Sequence, residues 1–264
     1  MIRIDFLGTG NAFTPLGRLH ALALIDKKIL IDTPPTLITQ LRKKSLMTSE
    51  IEHLLFTHWH ADHIFGFPFL MLERKFISDR NQNNKLKIYL RPGGKERLSD
   101  LCNMGFPGSL EDVEDMAEWF ENENCKLQNT DWSFERFPVC HTPETDPHGY
   151  ELTHESGIKI LHCGDSGPCE EIEKRAESAD IIILEMGMPD IGNFPYHYTP
   201  NDIRKFSKKY SRSLILVTHN YASSRDSLEG FRIPELPEGV YQLEDGDAIE
   251  IDDFGEIKII MKEE

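Results

Sequence analysis

Between Thr57 and His63 the chain reads Thr-His-Trp-His-Ala-Asp-His, which places the imidazoles of His58, His60 and His63 and the carboxylate of Asp62 within six residues. Neutral imidazole and carboxylate are the usual nitrogen and oxygen ligands of zinc-like divalent cations, and donors this dense surround two ions better than one. Histidine-rich tracts also occur in solvated tails and linkers. Here the apolar run Leu54-Leu55-Phe56 stands directly before the cluster, so a buried strand would hold the loop rigid, as a built metal site requires. A site for two ions needs about seven or eight donors. Three later residues qualify: His141 after Phe137-Pro138-Val139-Cys140, Asp165 after Ile160-Leu161-His162-Cys163-Gly164, and His219 after Leu214-Ile215-Leu216-Val217-Thr218. Any one alone reads as a turn or capping residue. Their recurrence just past apolar runs is the signal, because sheets deliver side chains to a shared rim in that way.

The elements that must position these residues are strand-rich at first. Ile2 to Leu7, Ala21 to Ile25 and Lys28 to Asp32 alternate as strands, with Gly8, Gly10 and Gly17 in the turns. Pro34-Pro35 opens a helical stretch through Leu37, Ile38, Leu41 and Leu46, and a second helix is expected over Ile64 to Phe76, with Pro68 near its start. Residues 78 to 86 form a polar loop. Val113, Met116, Ala117 and Phe120 stand apolar among acidic neighbours, which predicts an amphipathic helix over residues 109 to 124 with a solvated acidic face. Phe134 to Val139, Tyr150 to His154, Ile158 to His162, Ile181 to Leu184 and Leu214 to Val217 continue as strands, several followed by helices. No linker or repeat divides the chain, so residues 1–264 are expected to form a single α/β domain with a two-sheet core and helices outside.

At 264 residues, 39% of them hydrophobic, the chain can bury a full core, and no apolar run approaches the length of a membrane span. The start, Met1-Ile2-Arg3-Ile4-Asp5-Phe6, lacks the features of a signal peptide. Cys102, Cys125, Cys140, Cys163 and Cys169 are odd in number and contain no Cys-x-x-Cys pair, which points to a reducing cytoplasm and away from thiolate zinc. A formal charge of −16 repels polyanions. Membrane and DNA partners are therefore not expected, and small or locally presented substrates are.

The motifs together resemble the metallo-β-lactamase superfamily, whose His-x-His-x-Asp-His signature is followed by a later His, Asp and His. The likeness runs along nearly the whole chain. Phe6-Leu7-Gly8-Thr9-Gly10-Asn11, Ile31-Asp32-Thr33, Ile51 to His63 with Ile64-Phe65-Gly66, Gly149-Tyr150, His162-Cys163-Gly164-Asp165 and Val217-Thr218-His219 are similar to the ribonuclease Z branch. The resemblance implies a four-layer αββα sandwich and two divalent ions, zinc first, with manganese or iron as alternatives. By that likeness His58, His60 and His141 hold one ion, Asp62, His63 and His219 hold the other, Asp165 bridges them, and Asp32 is structural beneath the site. Two departures stand out. Ribonuclease Z proteins usually carry a Gly- and Pro-rich arm that grips the transfer RNA elbow, where this chain has the acidic stretch 109 to 124. Their final motif is commonly His-Phe-Ser followed by Arg, where this chain has His219-Asn220-Tyr221-Ala222-Ser223-Ser224-Arg225. Armless relatives nearer in size include phosphodiesterases of cyclic or other small phosphodiesters.

In phosphodiesterase-type members a carboxylate and a histidine act as a pair at the positions of Glu185, after Ile181-Ile182-Ile183-Leu184, and His197, in Tyr196-His197-Tyr198-Thr199-Pro200. A carboxylate neighbour keeps an imidazole cationic near neutrality, which suits protonation of a leaving group. The plainer reading has His197 bonding a loop carbonyl and Glu185 capping the next element. Asp62, Glu185 and His197 are the expected catalytic group, with a metal-bridging hydroxide attacking phosphorus and His197 as general acid. The function expected is thus a binuclear phosphodiesterase on a small, cyclic or RNA 3′-end substrate. A lactone, thioester or β-lactam hydrolase on the same metals, a ribonuclease Z-type transfer RNA 3′ processing endonuclease, and a metal-bound protein without turnover are the alternatives. A homodimer could supply an RNA-gripping surface in trans. Arg204, Lys205, Lys208, Lys209 and Arg212 could line one helix face, either solvated or against phosphates. Gly8-Thr9-Gly10-Asn11 lacks the third glycine of a dinucleotide loop and reads as a turn beside the site. Gly164-Asp165-Ser166-Gly167-Pro168 is no nucleophile elbow. His148 reads as a turn residue or a substrate contact, and His20, His53, His154 and His162 have no ligand spacing.

Overall fold

The computed structural model of the chain describes residues 1–80, 85–223 and 234–262. These residues form two compact units, each built on one mixed sheet. The first unit takes Met1–Gly8, Leu22–Asn122 and Gly246–Glu264. With strands numbered in chain order, its sheet contains β1 (Ile2–Gly8), β2 (Leu22–Ile25), β3 (Ile29–Ile31), β4 (His53–Leu55), β5 (Leu86–Tyr89), β6 (Ala117–Phe120), β14 (Ala248–Ile251) and β15 (Ile257–Ile260), in the order β15-β14-β1-β2-β3-β4-β5-β6. Pairing is antiparallel from β15 to β3 and parallel from β3 to β6. The parallel strands β3 and β4 are buried throughout, as a sheet crossed by helical connections demands. Their apolar side chains Leu30 and Leu54 pack in one cluster with Leu37 and Leu41 of α1 (Leu37–Lys43), Phe67 and Leu70 of α3 (Phe67–Glu73), and Leu98 and Cys102 of α4 (Gly94–Gly105). The short α2 (Ala61–Ile64) precedes α3. Pro68 falls in the first turn of α3, where its missing N–H costs no hydrogen bond.

The amphipathic helix expected over 109 to 124 does not form. One turn, α5 (Val113–Met116), is helical, and the chain then extends as β6 at the open edge of the sheet. Trp119 pairs with Ile88 and Phe120 with Tyr89, and the Phe120 and Tyr89 rings stack with centroids 5.0 Å apart. Trp119 and Phe120 favour extended backbone, and pairing along the free edge of β5 outweighs the helical spacing of the apolar residues. The expected polar loop 78 to 86 includes residues 81–84, which lie outside the described residues.

The second unit takes Thr9–Ala21 and Glu123–Asp245. Its sheet has the order β13-β12-β11-β10-β9-β8-β7, from β7 (Asn124–Lys126), β8 (Trp132–Pro138), β9 (His148–His154), β10 (Lys159–His162), β11 (Ile181–Met186), β12 (Leu214–Asn220) and β13 (Val240–Gln242). β7 to β10 pair antiparallel and β10 to β13 parallel. Ile182, Leu184, Ile215 and Val217 pack against Ile172 and Ala176 of α6 (Glu170–Ala176) and Ile203 and Phe206 of α7 (Pro200–Lys209). Thr199 caps α7 by reciprocal hydrogen bonds with Asp202, and Pro200 opens it. The basic stripe lies on α7 only in part, since Arg212 falls beyond the last residue of the helix. Arg204 pairs with Asp190 at 2.7 Å, Lys209 with Glu173 at 2.6 Å and Lys205 with Asp202 at 3.4 Å, so these cations are largely neutralised by neighbours. No helix among the described residues is long and apolar enough to cross a membrane.

Candidate metal centre

In the first unit β4 leads through Phe56 and Thr57 into the histidine loop, and the buried carboxylate of Asp32 organises it. Asp32 Oδ1 accepts from the Thr57 N–H at 2.8 Å, and Oδ2 accepts from Thr57 Oγ1 at 2.6 Å and from His63 Nδ1 at 2.8 Å. With its hydrogen committed to Asp32, Thr57 Oγ1 accepts from His58 Nδ1 at 3.0 Å. Both rings are thereby held in the tautomer whose Nε2 offers a lone pair, the form a cation needs. His58 Nε2 stands 3.0 Å from His60 Nδ1, and His63 Nε2 stands 3.4 Å from Asp62 Oδ2. Two imidazole nitrogens on one zinc-sized ion, each at about 2.0 Å, are separated by about 3.3 Å, so the donor types and their spacing fit a divalent cation. Asp62 and His63 ride on α2, whose end is pinned where Gly66 passes Pro34: a Cβ on Gly66 would lie 2.1 Å from the Pro34 carbonyl oxygen. Gly66 N–H donates to Thr33 O at 2.8 Å and Thr33 N–H to His63 O at 2.7 Å, which ties this turn to the residue after Asp32.

In the second unit the candidate residues arrive from separate segments. His141 follows β8, Asp165 follows β10, Glu185 lies in β11, His197 precedes α7 and His219 lies in β12. His141 donates from Nδ1 to Tyr196 O at 2.9 Å. His219 adopts φ +47°, a left-handed conformation unusual for a non-glycine residue, and its Nε2 lies 3.2 Å from Asp165 Oδ2. His197 Nδ1 donates to Glu185 Oε1 at 2.6 Å. Glu185 is almost fully buried and also accepts from the backbone N–H groups of Ser166, at 3.3 Å, and Gly187. Burial pushes its carboxyl above the usual range, and the charge and hydrogen bond of His197 act against that push. Gly187 is required here, because a Cβ would lie 2.7 Å from His197 Nδ1 and 2.9 Å from Glu185 Oε2. One donor atom each of Glu185, His197 and His219 lie within 4.8 Å of one another. The His197 ring is nearly parallel to that of His219, centroids 6.2 Å apart, and stands edge-on to that of His141 at 4.9 Å.

Residues 2–231 match the family model described as Anti-Pycsar protein Apyc1. The chain belongs to that family. Ribonuclease Z of Methanothermobacter thermautotrophicus is 22% identical over 268 residues, covering 83% of this chain and 86% of that protein. The metallo-β-lactamase fold protein YhfI of Bacillus subtilis superposes with a TM-score of 0.72 at 14% identity, covering 94% of this chain and 98% of its own. A diphosphatase from the PhnP family superposes at 0.67 with 19% identity over 99% and 100% of the two chains. This member of the Apyc1 family thus has the metallo-β-lactamase fold that the His-x-His-x-Asp-His motif implied, and it is similar in sequence to ribonuclease Z.

His58, His60, Asp62 and His63 gather in the first unit, and His141, Asp165, Glu185, His197 and His219 in the second. Four of the other histidines make local contacts. His148 opens β9, buried, with Nδ1 donating to Asp146 O at 2.8 Å. His53 meets the Tyr89 hydroxyl at 3.2 Å, His154 meets Ser156 Oγ at 2.9 Å, and His162 Nδ1 accepts from Gly164 N–H at 3.3 Å. Ser224 and Arg225 of the final motif lie outside the described residues. Sequence reasoning assigned no task to Thr57, the link between Asp32 and His58, although a hydroxyl residue directly before the first histidine was the available signal. Asn11 and Asn220 were missed as well. Asn11 Nδ2 donates to Gly187 O at 3.0 Å and Asn220 Nδ2 to Thr9 O at 3.1 Å, contacts no local spacing announces.

Proposed function

We propose that the chain is a binuclear metal phosphodiesterase of small or cyclic phosphodiesters in which His197 protonates the leaving group. It is a metal-dependent hydrolase of the metallo-β-lactamase superfamily, and residues 1–264 act as one domain with one centre. His58, His60 and His141 would hold one divalent ion, Asp62, His63 and His219 the other, and Asp165 would be shared, with zinc the first expectation and manganese or iron the alternatives. Bound there, such ions supply an activated water and neutralise charge gathering on the phosphoryl oxygens. The chain's own residues do the rest. Asp32 and Thr57 set the tautomers of His58 and His63. Glu185, gripped by two backbone amides, orients the His197 ring through Nδ1 and balances its charge. The proton then leaves from the other ring nitrogen, Nε2, toward the departing oxygen.

The observation that carries this reading is the 2.6 Å contact between Glu185 and His197 beside His219. An alkoxide leaving group needs a proton, whereas a thiolate departs without one, so a built imidazole acid favours phosphodiesters over thioesters. The charge of −16 and the partnered basic stripe disfavour a long polyanion. The test is metal analysis of the purified chain followed by a panel of bis(nitrophenyl) phosphate, cyclic nucleotides, a precursor transfer RNA and an acyl lactone. Two ions per chain and turnover of the small phosphodiesters are expected. Lactone opening without phosphodiester cleavage would overturn the proposal, and preferred cleavage of the precursor RNA would move the chain to the endonuclease reading.

A further inference from the structure

Two thiols of the second unit meet just past the end of β8. Cys140 is exposed and directly precedes His141, and Cys169, buried, is the residue from which α6 starts. Their side chains share a hydrogen bond. The backbone beside them is tied as closely. Cys140 N–H donates to Ser166 Oγ at 3.1 Å, and Gly167 N–H, two residues before Cys169, donates to Cys140 O at 2.8 Å. Gly167 is wedged against the loop that carries His197, since a Cβ there would lie 2.0 Å from Pro195 O. Ser166 N–H donates to Glu185 Oε1 at 3.3 Å. The segment from Asp165 to Cys169 is thus pinned both to Cys140 and to the segments of the Glu185–His197 pair.

Sulfurs in hydrogen-bond contact need only a small shift to join, because a disulfide is sensitive to backbone spacing and the two backbones here are already held together beside the pair. Exposure sets the order of events. A small oxidant reaches Cys140 first, and Cys169 waits behind it. Cys163 lies within electrostatic range of Cys169 but is fully buried, Cys125 sits on β7 opposite Phe134, and Cys102 belongs to the first unit. Partial burial of its sulfur and the hydrogen bond with Cys169 push the Cys140 thiol up to about 11. Thiolate is therefore scarce near neutrality, and exchange is slow. Such a pair stays reduced under mild conditions and closes under sustained oxidation.

We infer that Cys140 and Cys169 are a reversible modification site: a low-molecular-weight disulfide closes them into a bridge, and the bridge stiffens the segments that carry His141 and Asp165. In the first step the Cys140 sulfur bonds one sulfur of the oxidant, whose S–S bond breaks and whose other half leaves as a thiol with the Cys140 proton. In the second the Cys169 sulfur bonds that of Cys140, the mixed disulfide breaks, and another small thiol leaves with the Cys169 proton. Two protein thiols are oxidised, and one small disulfide is reduced to two thiols. The stiffening rests on the metal reading above, whereas the bridge does not. The experiment incubates the metal-loaded full chain with oxidised glutathione, alkylates the remaining thiols and maps unreduced peptides by mass spectrometry. One Cys140–Cys169 link per chain is expected, reversed by dithiothreitol, with the other three of the five cysteines alkylated. Cys140→Ser should form no link, Cys169→Ser should stop at glutathione on Cys140, and Cys125→Ser should behave as wild type. The bridged chain should release its metal to a chromogenic chelator about threefold or more slowly than the reduced chain, as preorganised donors do, and Cys140→Ser should show no such difference. A wild type that stays reduced, that stops at glutathione on Cys140, or that links through Cys125 or Cys163 would overturn the site. A bridge that leaves the release rate unchanged would overturn its hold on His141 and Asp165. If the chain takes up no metal, the metal reading falls, and the peptide map alone then decides the thiol pair.

Discussion

In the first unit four metal-type donors sit between His58 and His63, and one buried carboxylate, Asp32, orients His63 directly and His58 through Thr57. In the second unit the comparable residues run from His141 to His219, each on its own strand or loop, and are held by strand pairing and backbone groups: Tyr196 O for His141, and the Ser166 and Gly187 amides for Glu185. The first arrangement concentrates order in one side chain. The second spreads it over the register of β10, β11 and β12. A single change to the hub of the first should therefore disturb several donors together, whereas single changes in the second should separate metal binding from proton transfer.

The sharpest separation comes from His197→Ala, which should lower kcat about 10²- to 10⁴-fold on a phosphodiester with an alkoxide leaving group. Hydrolysis of an activated nitrophenyl ester should fall far less, and the metal content should be that of wild type. Equal losses on both esters would remove the general-acid role. Next in size, Asp32→Ala should weaken metal affinity about 10- to 100-fold, read by competition with a chromogenic chelator, because it releases His58 and His63 at once. Glu185→Gln should leave that affinity within a few-fold while lowering turnover, and a collapse of metal binding in this variant would erase the contrast between the units. Gly187→Ala drives a methyl toward His197 Nδ1 and Glu185 Oε2. A displacement of that kind should reduce kcat about tenfold or more, with little change in metal content. The smallest effect belongs to Arg204→Ala. It removes a half-exposed pair with Asp190 and should cost about 0.2–1 kcal/mol in a denaturant titration, with turnover of small phosphodiesters unchanged.

Legibility in the sequence followed the same division. The His58 to His63 cluster was readable because its donors are neighbours in the chain and an apolar strand stands before them. His141, Asp165 and His219 could be nominated from their places past apolar runs, but pairing Glu185 with His197 needed family likeness, since a separation of twelve positions carries no spacing rule. The stretch 109 to 124 was misread because the free edge of β5 recruits Trp119 and Phe120 into β6, and an edge strand's partner is invisible to a local window. Arg212 was placed on a helix that stops before it. Asn11 was named only as part of a glycine-bearing turn, and its bond to Gly187 joins residues far apart in the chain.

The amino-acid order alone determined which chemistry the molecule carries. Imidazoles and carboxylates appear at strand ends in numbers that suit divalent cations, on alternating apolar segments that build two sheets. Tertiary structure decided which ring nitrogen is offered, through Asp32 and Thr57, and which carboxylate meets which imidazole, through the register that sets Glu185 against His197. The physical reason is range. Side-chain type and hydrophobic period are properties of a few consecutive residues, whereas a tautomer or a 2.6 Å contact depends on where segments many residues away come to rest.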